Sequence, residues 1–541
     1  MTARPYSAAP EDDTQVPGDD TQVPGDAAPA PARTSGSWGP GRVGGIAVFA
    51  LTLVALAVVT IYRYTAPYLQ ADGVQQSIMS IQNVDLFYWG QNRFAAVVSF
   101  LASPFSDPAV NLFVCLLINS LCFYGTFLVI AVMGVRALTG EFRWTAVYVL
   151  WLVAAATANV IVTPSKLHII SLESQPYSMS WLLTLGAFLL WKRSVWWAWV
   201  AAALCAGVAM GLNPSVLTIA AFLAVIEMLR RRQWLRWPAF GVMWVAWFGV
   251  WQFLSGRFGG NAGPIPDAPQ DYFSFNRAQF VSEFPQAVGS VTGALSPTRL
   301  VVLAAAATLA ALLLPADRRA ALVPRFALVS LFSLGYFTVF AGNPWVSANG
   351  YPVRYFFPVL IAIVLFLAAP IAGALLTARV PVAVTVRRPV VTGLAVVAAA
   401  AALVGPLTPP SQSVVLQDIR AAGEFARSND ISFLSGYYWD MWPLLWETLE
   451  DGRESHFVTG FKSGGDPAAY RERFDADLSS GTAPRAMCVN QTDDFCTTYL
   501  DYWTEPGWTF TGETCPVPGP TPQLGSPPQS TCRVLEYTGP R

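Results

Sequence analysis

Long apolar runs separated by short polar connections dominate the chain from residue 43 to residue 406. An apolar run of about 20 residues can cross a bilayer as a helix. On that rule the pattern predicts eleven membrane helices, at residues 44–63, 108–135, 144–163, 176–191, 195–211, 214–229, 236–255, 299–315, 323–343, 354–377 and 388–406. The flanking segments lack such runs, which predicts three parts: a tail at 1–42, a membrane part at 43–406 and a soluble part at 407–541.

The tail contains few apolar residues and repeats the heptapeptide DDTQVPG at 12–18 and 19–25. With so little apolar surface to offset the entropy of ordering, we expect residues 1–42 to be a disordered cytoplasmic tail. It is also too long and too acidic for the start of a signal peptide. The apolar run at 43–61 is therefore predicted to be an uncleaved first membrane helix.

The soluble part alternates between two patterns. Helical periodicity at 416–427, 441–449 and 468–478 alternates with short apolar runs at 431–438, 485–490 and 533–537. This alternation predicts a small α/β domain. The fold class expected for the whole chain is a polytopic α-helical membrane protein with a C-terminal α/β domain.

Composition and charge agree with a membrane protein and give it an orientation. The chain is 54% hydrophobic and 12% charged, and its net charge of -1 gives no footprint for nucleic acid. If the N-terminus is cytoplasmic, every connection on the cytoplasmic side is basic, in agreement with the enrichment of Lys and Arg in the cytoplasmic loops of membrane proteins. These connections carry Arg136, Arg143, Lys192, Arg193, Arg230, Arg231, Arg232, Arg236, Arg318, Arg319, Arg325, Arg379, Arg387 and Arg388. We therefore expect a multi-pass plasma-membrane protein with an extracytoplasmic C-terminal domain.

The cysteines give an independent indication of the same orientation. Cys488, Cys496, Cys515 and Cys532 cluster near the C-terminus, and an even, clustered set predicts two disulfides in an oxidising, extracytoplasmic location. Three pairings remain open at this point. A four-thiolate zinc site is the alternative, but the spacing lacks a C-x-x-C pair.

Several kinds of chemistry are excluded by the residues that are missing. The chain has two histidines, which disfavours multi-histidine zinc sites and a Ser-His-Asp hydrolase. No G-x-x-x-x-G-K-[ST] motif is present, which argues against direct use of ATP. Carboxylates on the outer face remain as acid or base candidates.

The first outer connection is the strongest candidate for a site. It carries Asp72 and Asp85, followed by a dense run of aromatic, amide and basic side chains that includes Tyr88, Trp89, Gln91 and Arg93. Charged groups at a membrane face usually persist where they pair or serve a site. The alternative is a water-exposed loop bordered by interfacial aromatics.

Two later outer segments carry further candidates. Lys166, His168, Glu173 and Tyr177 precede one membrane helix and form either a binding rim or an ordinary snorkelling pattern. Arg354 precedes another helix and either binds a phosphate or anchors the helix at the lipid headgroups. Two outer stretches are too short to span: 93–105 is predicted to be an interfacial helix, and 271–291 either another or a mobile lid.

The arrangement resembles the GT-C superfamily of multi-pass membrane glycosyltransferases, in particular the protein mannosyltransferase-like and aminoarabinose transferase-like members. The residues that carry the resemblance are an acidic first outer loop with the run Tyr-Trp-Gly-Gln-Asn-Arg at 88–93, Glu-x-x-Pro-Tyr at 173–177 and Tyr-Pro-x-Arg-Tyr at 351–355. It covers the layout of residues 44–406 and the extracytoplasmic C-terminal domain. Adjacent acids, common in that first loop, are absent here, because Gly73 follows Asp72 and Leu86 follows Asp85.

The resemblance implies transfer of a sugar from a polyprenyl-phosphate donor to an envelope polysaccharide, lipid or protein. Asp72 is then the first candidate for the base that deprotonates the acceptor, and Asp85 the second. Cations stabilise a phosphate leaving group, and the candidates are Arg93, Lys166 and Arg354. A divalent cation such as Mg²⁺ or Mn²⁺ could assist, with oxygen ligands from Asp72, Asp85 or Glu173. The other residues expected to contact substrate are Tyr88, Trp89, Gln91, His168, Glu173 and Tyr177.

Other classes of function remain as alternatives. A transporter or flippase of lipid-linked glycans would fit the Gly211–Pro214 break, although no internal repeat is visible. A polysaccharide polymerase or ligase would use Arg277 and Glu283 rather than the two aspartates of the first loop. A non-catalytic scaffold would depend on none of these side chains.

Overall fold

The computed structural model describes residues 40–82, 84–88, 94–173, 177–231, 235–258, 274–377, 407–449, 457–460, 467–517 and 531–539. Contacts divide the chain into two units, Met1–Val48 and Phe49–Arg541. Apart from the first turns of helix α1, the helices, the sheet and the contacts between them belong to the second unit.

Helices account for most of the described residues before 378. They are α1 (Pro40–Tyr68), α2 (Ala71–Gln82), α3 (Val97–Ala102), α4 (Pro108–Thr139), α5 (Trp144–Ile161), α6 (Pro164–Leu172), α7 (Tyr177–Trp191), α8 (Trp196–Leu212), α9 (Val216–Arg231), α10 (Arg236–Phe258), α11 (Arg277–Gly293), α12 (Pro297–Leu313), α13 (Ala316–Ala341), α14 (Pro344–Ala348) and α15 (Phe357–Thr377). A 3₁₀ turn at Val353–Phe356 leads into α15.

Six stretches of helix in the described residues are long and apolar enough to cross a membrane, which supports membrane association. They are Gly45–Tyr68 in α1, the helices α4, α5, α10 and α13, and Val353–Thr377. Helices α7, α8 and α12 are apolar but shorter. The predicted count of eleven is therefore not confirmed: α9, at the predicted 214–229 helix, has 16 residues, and 388–406 lies outside the described residues.

Two outer segments contain helices that the sequence pattern did not predict. The first loop contains α2, and the segment 164–175 contains α6, which begins with a proline at its first position. Both helices are short, and much of each is buried, so packing rather than helix propensity accounts for them. Of the two predicted interfacial helices, 93–105 contains only the short α3, whereas 271–291 largely corresponds to α11.

The C-terminal part contains helices and strands in alternation. They are α16 (Val414–Ser428), β1 (Phe433–Gly436), α17 (Tyr438–Leu449), β2 (Phe457–Gly460), α18 (Pro467–Ser479), β3 (Arg485–Val489), α19 (Asp493–Trp503), β4 (Trp508–Thr514) and β5 (Cys532–Tyr537). The sheet order is β2-β1-β3-β5-β4. Strands β2, β1 and β3 are parallel, whereas β5 runs antiparallel to both β3 and β4.

Side chains of this sheet alternate between two apolar layers, as a pleated sheet requires. Leu434, Met487 and Val534 belong to the layer formed with α16 and α17. Phe433, Ala486 and Leu535 belong to the layer formed with α18 and α19. The four clustered cysteines form two disulfides, Cys488–Cys496 and Cys515–Cys532.

Helix α17 joins the C-terminal part to the helical bundle. It packs against α2, and its residues from Asp440 to Leu449 are all buried. Trp442 and Trp446 lie in the same apolar core as Ile61 and Val74 of the bundle. Removing a buried tryptophan side chain typically costs about 3–5 kcal/mol. The C-terminal part is therefore firmly packed against α2 rather than loosely tethered.

Candidate active site

A buried guanidinium lies between two buried carboxylates at one end of the helical bundle. Nη1 of Arg354 is 2.9 Å from Oδ2 of Asp72 and 3.1 Å from Oε1 of Glu173. The three residues are at most 9% exposed. A buried ion pair is weak evidence for stability, because desolvation offsets much of its attraction. An arrangement of this kind in a membrane protein is more typical of a functional site.

The two carboxylates are positioned by helix ends. Asp72 lies in the first turn of α2, where the positive end of the helix dipole favours an anion. Glu173 directly follows α6 in an extended conformation that directs the chain away from the helix axis. Because α6 packs against the 3₁₀ turn that carries Arg354, the Glu173 carboxylate meets the guanidinium.

Arg354 follows a tight bend that a third acid stabilises. Gly350 and Tyr351 both have positive φ, at 70° and 55°. The left-handed backbone conformation is unfavourable for tyrosine, so it persists only where neighbouring contacts stabilise it. Glu283 of α11 accepts hydrogen bonds from Ser347 at 2.5 Å and from the Tyr351 hydroxyl at 2.7 Å. These bonds lower the pKa of Glu283, so the carboxylate that holds the bend stays ionised.

Two polar side chains complete the contacts of the two acids. Gln70 donates a hydrogen bond to Oε1 of Glu173. The Tyr438 hydroxyl, at the start of α17, lies 2.8 Å from Oδ1 of Asp72 and 3.2 Å from Oε1 of Gln75. The C-terminal part therefore supplies a residue of this cluster. No sequence pattern indicates that role, because Tyr438 stands in an aromatic run that is equally typical of a core.

Burial controls the protonation of the groups around Arg354. Burial raises the pKa of Glu173 to about 8, and the attraction of Arg354 offsets this only in part, while the charge of Asp72 adds to it. Burial thus favours the protonated form of Glu173, against the attraction of Arg354. Burial, and then the Asp72 carboxylate, hold the pKa of Tyr438 well above its usual value, so the phenol remains a hydrogen-bond donor.

Several buried polar atoms of this cluster lack a partner among the described residues. They are Oε2 of Glu173, Nε of Arg354 and Nε2 of Gln75. Leaving a buried polar group unsatisfied typically costs about 1–3 kcal/mol, more for a charged group. Unsatisfied groups that converge on one place are typical of a site that binds a polar ligand.

The remaining candidates of the second outer segment lie on or beside α6. Lys166 is half-buried, and no ion pair joins it to the described residues. His168 is fully buried against Tyr68, and burial lowers its pKa to about 3, so its imidazole is neutral. Tyr177 packs edge-on against Tyr355, whose ring also contacts the Arg354 guanidinium.

The candidate residues of the first outer loop differ in their exposure to solvent. Asp85 is exposed, in contrast to Asp72. Tyr88 is buried, and its hydroxyl accepts a hydrogen bond from Gln76 of α2 at 2.5 Å. Trp89, Gln91 and Arg93 lie outside the described residues.

The proposed oxygen ligands of a divalent cation are not gathered as a set. In the described part of the chain, no group of three His, Cys, Asp or Glu side chains could hold a metal ion. Asp72 and Glu173 do come together, but Arg354 bridges them. The positive charge between these two acids is thus supplied by a guanidinium.

Comparison with protein-family models and with curated proteins finds no match to this chain.

The raised pKa of Glu173 predicts a pH-dependent stability. With a pKa of about 8 when folded and about 4.5 when unfolded, the folded state binds more protons between these values. The free energy of unfolding should therefore fall as the pH rises from 5 to 8, by up to about 1.4 kcal/mol per pH unit. Thermal unfolding of the wild type and Glu173→Gln, compared at each pH, measures this. A difference in Tm that stays constant over the window would contradict it.

Proposed function

We propose that this protein is a membrane glycosyltransferase that moves a sugar from a polyprenyl-phosphate donor to a hydroxyl group of the cell envelope, on the extracytoplasmic side. The observation that carries the proposal is the buried Asp72–Arg354–Glu173 cluster, with unsatisfied polar atoms on Arg354 and Glu173. It combines a carboxylate for the acceptor with a cation for a phosphate.

Asp72 is the proposed base. A carboxylate offers about four lone-pair positions, and Arg354 and Tyr438 occupy one on each oxygen. An acceptor hydroxyl can therefore still donate a hydrogen bond to Asp72. As the acceptor oxygen bonds to the anomeric carbon, its proton passes to Asp72, and the bond from that carbon to the phosphate oxygen breaks.

Arg354 and Glu173 are the proposed partners of the departing lipid phosphate. Nε of Arg354, which has no partner among the described residues, is a charged donor, and Glu173 accepts a hydrogen bond from Nη1 of the same guanidinium. Donors that stabilise the developing charge of a leaving group lower the barrier. Lys166 of α6, the helix that precedes Glu173, is a second candidate cation.

The distribution of basic residues at the other helix ends supports the proposed orientation. Arg318 packs against Gly140 at the end of α4, and Arg236 donates a hydrogen bond to the carbonyl of Trp191 at the end of α7. These arginines lie in connections predicted to be cytoplasmic. The cluster, by contrast, lies where α1 ends and α15 begins.

The polymerase or ligase alternative depends on Arg277 and Glu283. Arg277 is exposed at the start of α11, and Glu283 is occupied by Ser347 and Tyr351. Their surroundings favour a supporting role for α11, which holds the segment before Arg354. The Asp72 cluster is therefore the better candidate for the chemistry.

Asp72→Asn should abolish most sugar transfer, because the amide cannot take the acceptor proton. We expect a loss of about 10²–10⁴-fold. The assay uses membranes supplied with labelled polyprenyl-phosphate sugars, at matched expression. Asp85→Asn is the control, because Asp85 is exposed and an exposed substitution rarely changes a free energy by more than about 0.5 kcal/mol. Full activity of Asp72→Asn, or a larger loss in Asp85→Asn, would overturn the assignment.

Tyr438→Phe should lower kcat with little effect on the KM for the donor. The substitution keeps the ring against Trp439 and Trp442 but removes the hydroxyl that orients Asp72. A hydrogen bond to a charged group is worth about 1.5–3 kcal/mol, so we expect a decrease in kcat of about tenfold or more. Tyr502→Phe, at an exposed ring of α19, should be neutral. An unchanged kcat would contradict a positioning role for Tyr438.

A further inference from the structure

The topology of the C-terminal sheet indicates a crevice beside Tyr438, the residue that this part contributes to the candidate active site. From β1 the chain continues into α17 on one face of the sheet, and from the adjacent β3 it continues into α19 on the opposite face. Where neighbouring parallel strands send their connections to opposite faces, the chain leaves a crevice at their carboxyl ends. Ligands of open α/β sheets bind at such a point.

The residues at this crevice are aromatic and amide side chains. Tyr437 and Trp439 lie in the turn from β1 to α17 and are half-buried. Asn490 follows β3, is fully buried and donates a hydrogen bond to Asp440 at 2.8 Å. The carbonyl oxygen of the Asn490 side chain is buried and has no hydrogen-bond partner in the part of the chain that the structure describes. Apolar rings with a few fixed polar groups are the usual lining of a binding site for a small organic ligand.

The crevice is held rigidly. The disulfide Cys488–Cys496 joins the end of β3 to α19 across the connection that contains Asn490. The Tyr437 amide donates a hydrogen bond to the Val489 carbonyl at 2.9 Å. Gly436 has a φ of 152° and lies so close to Val489 that a Cβ atom there would clash with its carbonyl. Only glycine fits, so the two strand ends approach closely.

The charges around the crevice favour a neutral ligand. Asp440 lies in the first turn of α17, bonded to Asn490, and Asp493 and Asp494 lie in the first turn of α19. Arg533 is paired with Asp493. An anionic headgroup or phosphate would meet repulsion here. A neutral sugar can donate its hydroxyl groups to carboxylate and carbonyl oxygens and pack the C–H face of its ring on an aromatic ring.

We propose that this crevice binds a neutral oligosaccharide and delivers its hydroxyl group to Asp72 as the acceptor. Tyr438, which contacts Asp72, lies between Tyr437 and Trp439 in the chain, so the crevice and the base share one turn. That the bound sugar is the acceptor rests on the proposed function. That the crevice binds a neutral sugar does not.

Hydrogen–deuterium exchange of the full chain in nanodiscs tests the binding directly. The probe is a panel of neutral tetra- to hexasaccharides of glucose, mannose, galactose and arabinose at millimolar concentration. At least one member should slow amide exchange at 433–440 and 488–494. Trp439→Ala and Tyr437→Ala should each lower the affinity for that sugar, as read from this protection, by about tenfold. A loss of this size corresponds to one stacking contact. Tyr502→Ala, at the other end of α19, should leave it unchanged.

Exchange of α16 without sugar shows whether each variant is folded. Absence of protection by every member of the panel, or protection that survives in both folded crevice variants, would overturn the proposal. So would stronger protection of these segments by inorganic phosphate than by any sugar. Transfer assays on the same samples separate sugar binding by the crevice from the proposed function. Protection without sugar transfer would support the binding site and count against the transferase. Sugar transfer without protection would support the transferase and count against the binding site.

Discussion

The fold around the candidate site depends on the compensation of one buried charge. Arg354 meets Asp72 and Glu173, from which it is 282 and 181 residues distant in the chain. Removing one partner of a buried pair typically costs about 3–5 kcal/mol, because the other charge is left uncompensated. The pairing therefore fixes three segments at once: the start of α2, the end of α6 and the entrance to α15. Helix α2 in turn carries α17, and with it the C-terminal part.

The membrane part and the C-terminal part thus form one chemical unit. The bundle supplies the two acids and the guanidinium, and α17 supplies the Tyr438 hydroxyl. The shared apolar core, with Trp442 and Trp446 fully buried, keeps that hydroxyl in place without a moving domain. Under the proposed function, the lipid-linked donor comes from the bundle side and the acceptor from the sheet side, so the two substrates meet at Asp72.

Sequence reasoning found the individual charges but not their contacts. Asp72, Glu173 and Arg354 were recognisable because charged residues beside apolar helices are rare, whereas pairing across hundreds of residues leaves no local pattern. Tyr438 was missed because its ring resembles a core residue. Helices α2 and α6 were missed because burial against the bundle, not periodicity, stabilises them. In the sheet, β4 escaped prediction because its residues, Trp508–Thr514, are largely exposed and polar, without an apolar run.

The role of the Asp72–Arg354–Glu173 cluster as the transfer site is tested most directly by a cryo-EM reconstruction of the full chain in nanodiscs. The sample contains polyprenyl monophosphate, the leaving group of the proposed reaction. We expect phosphate density within hydrogen-bond distance of the Arg354 guanidinium, with the lipid chain extending along the bundle. Phosphate density elsewhere, with Arg354 still bonded only to Asp72 and Glu173, would contradict the assignment of this cluster as the transfer site.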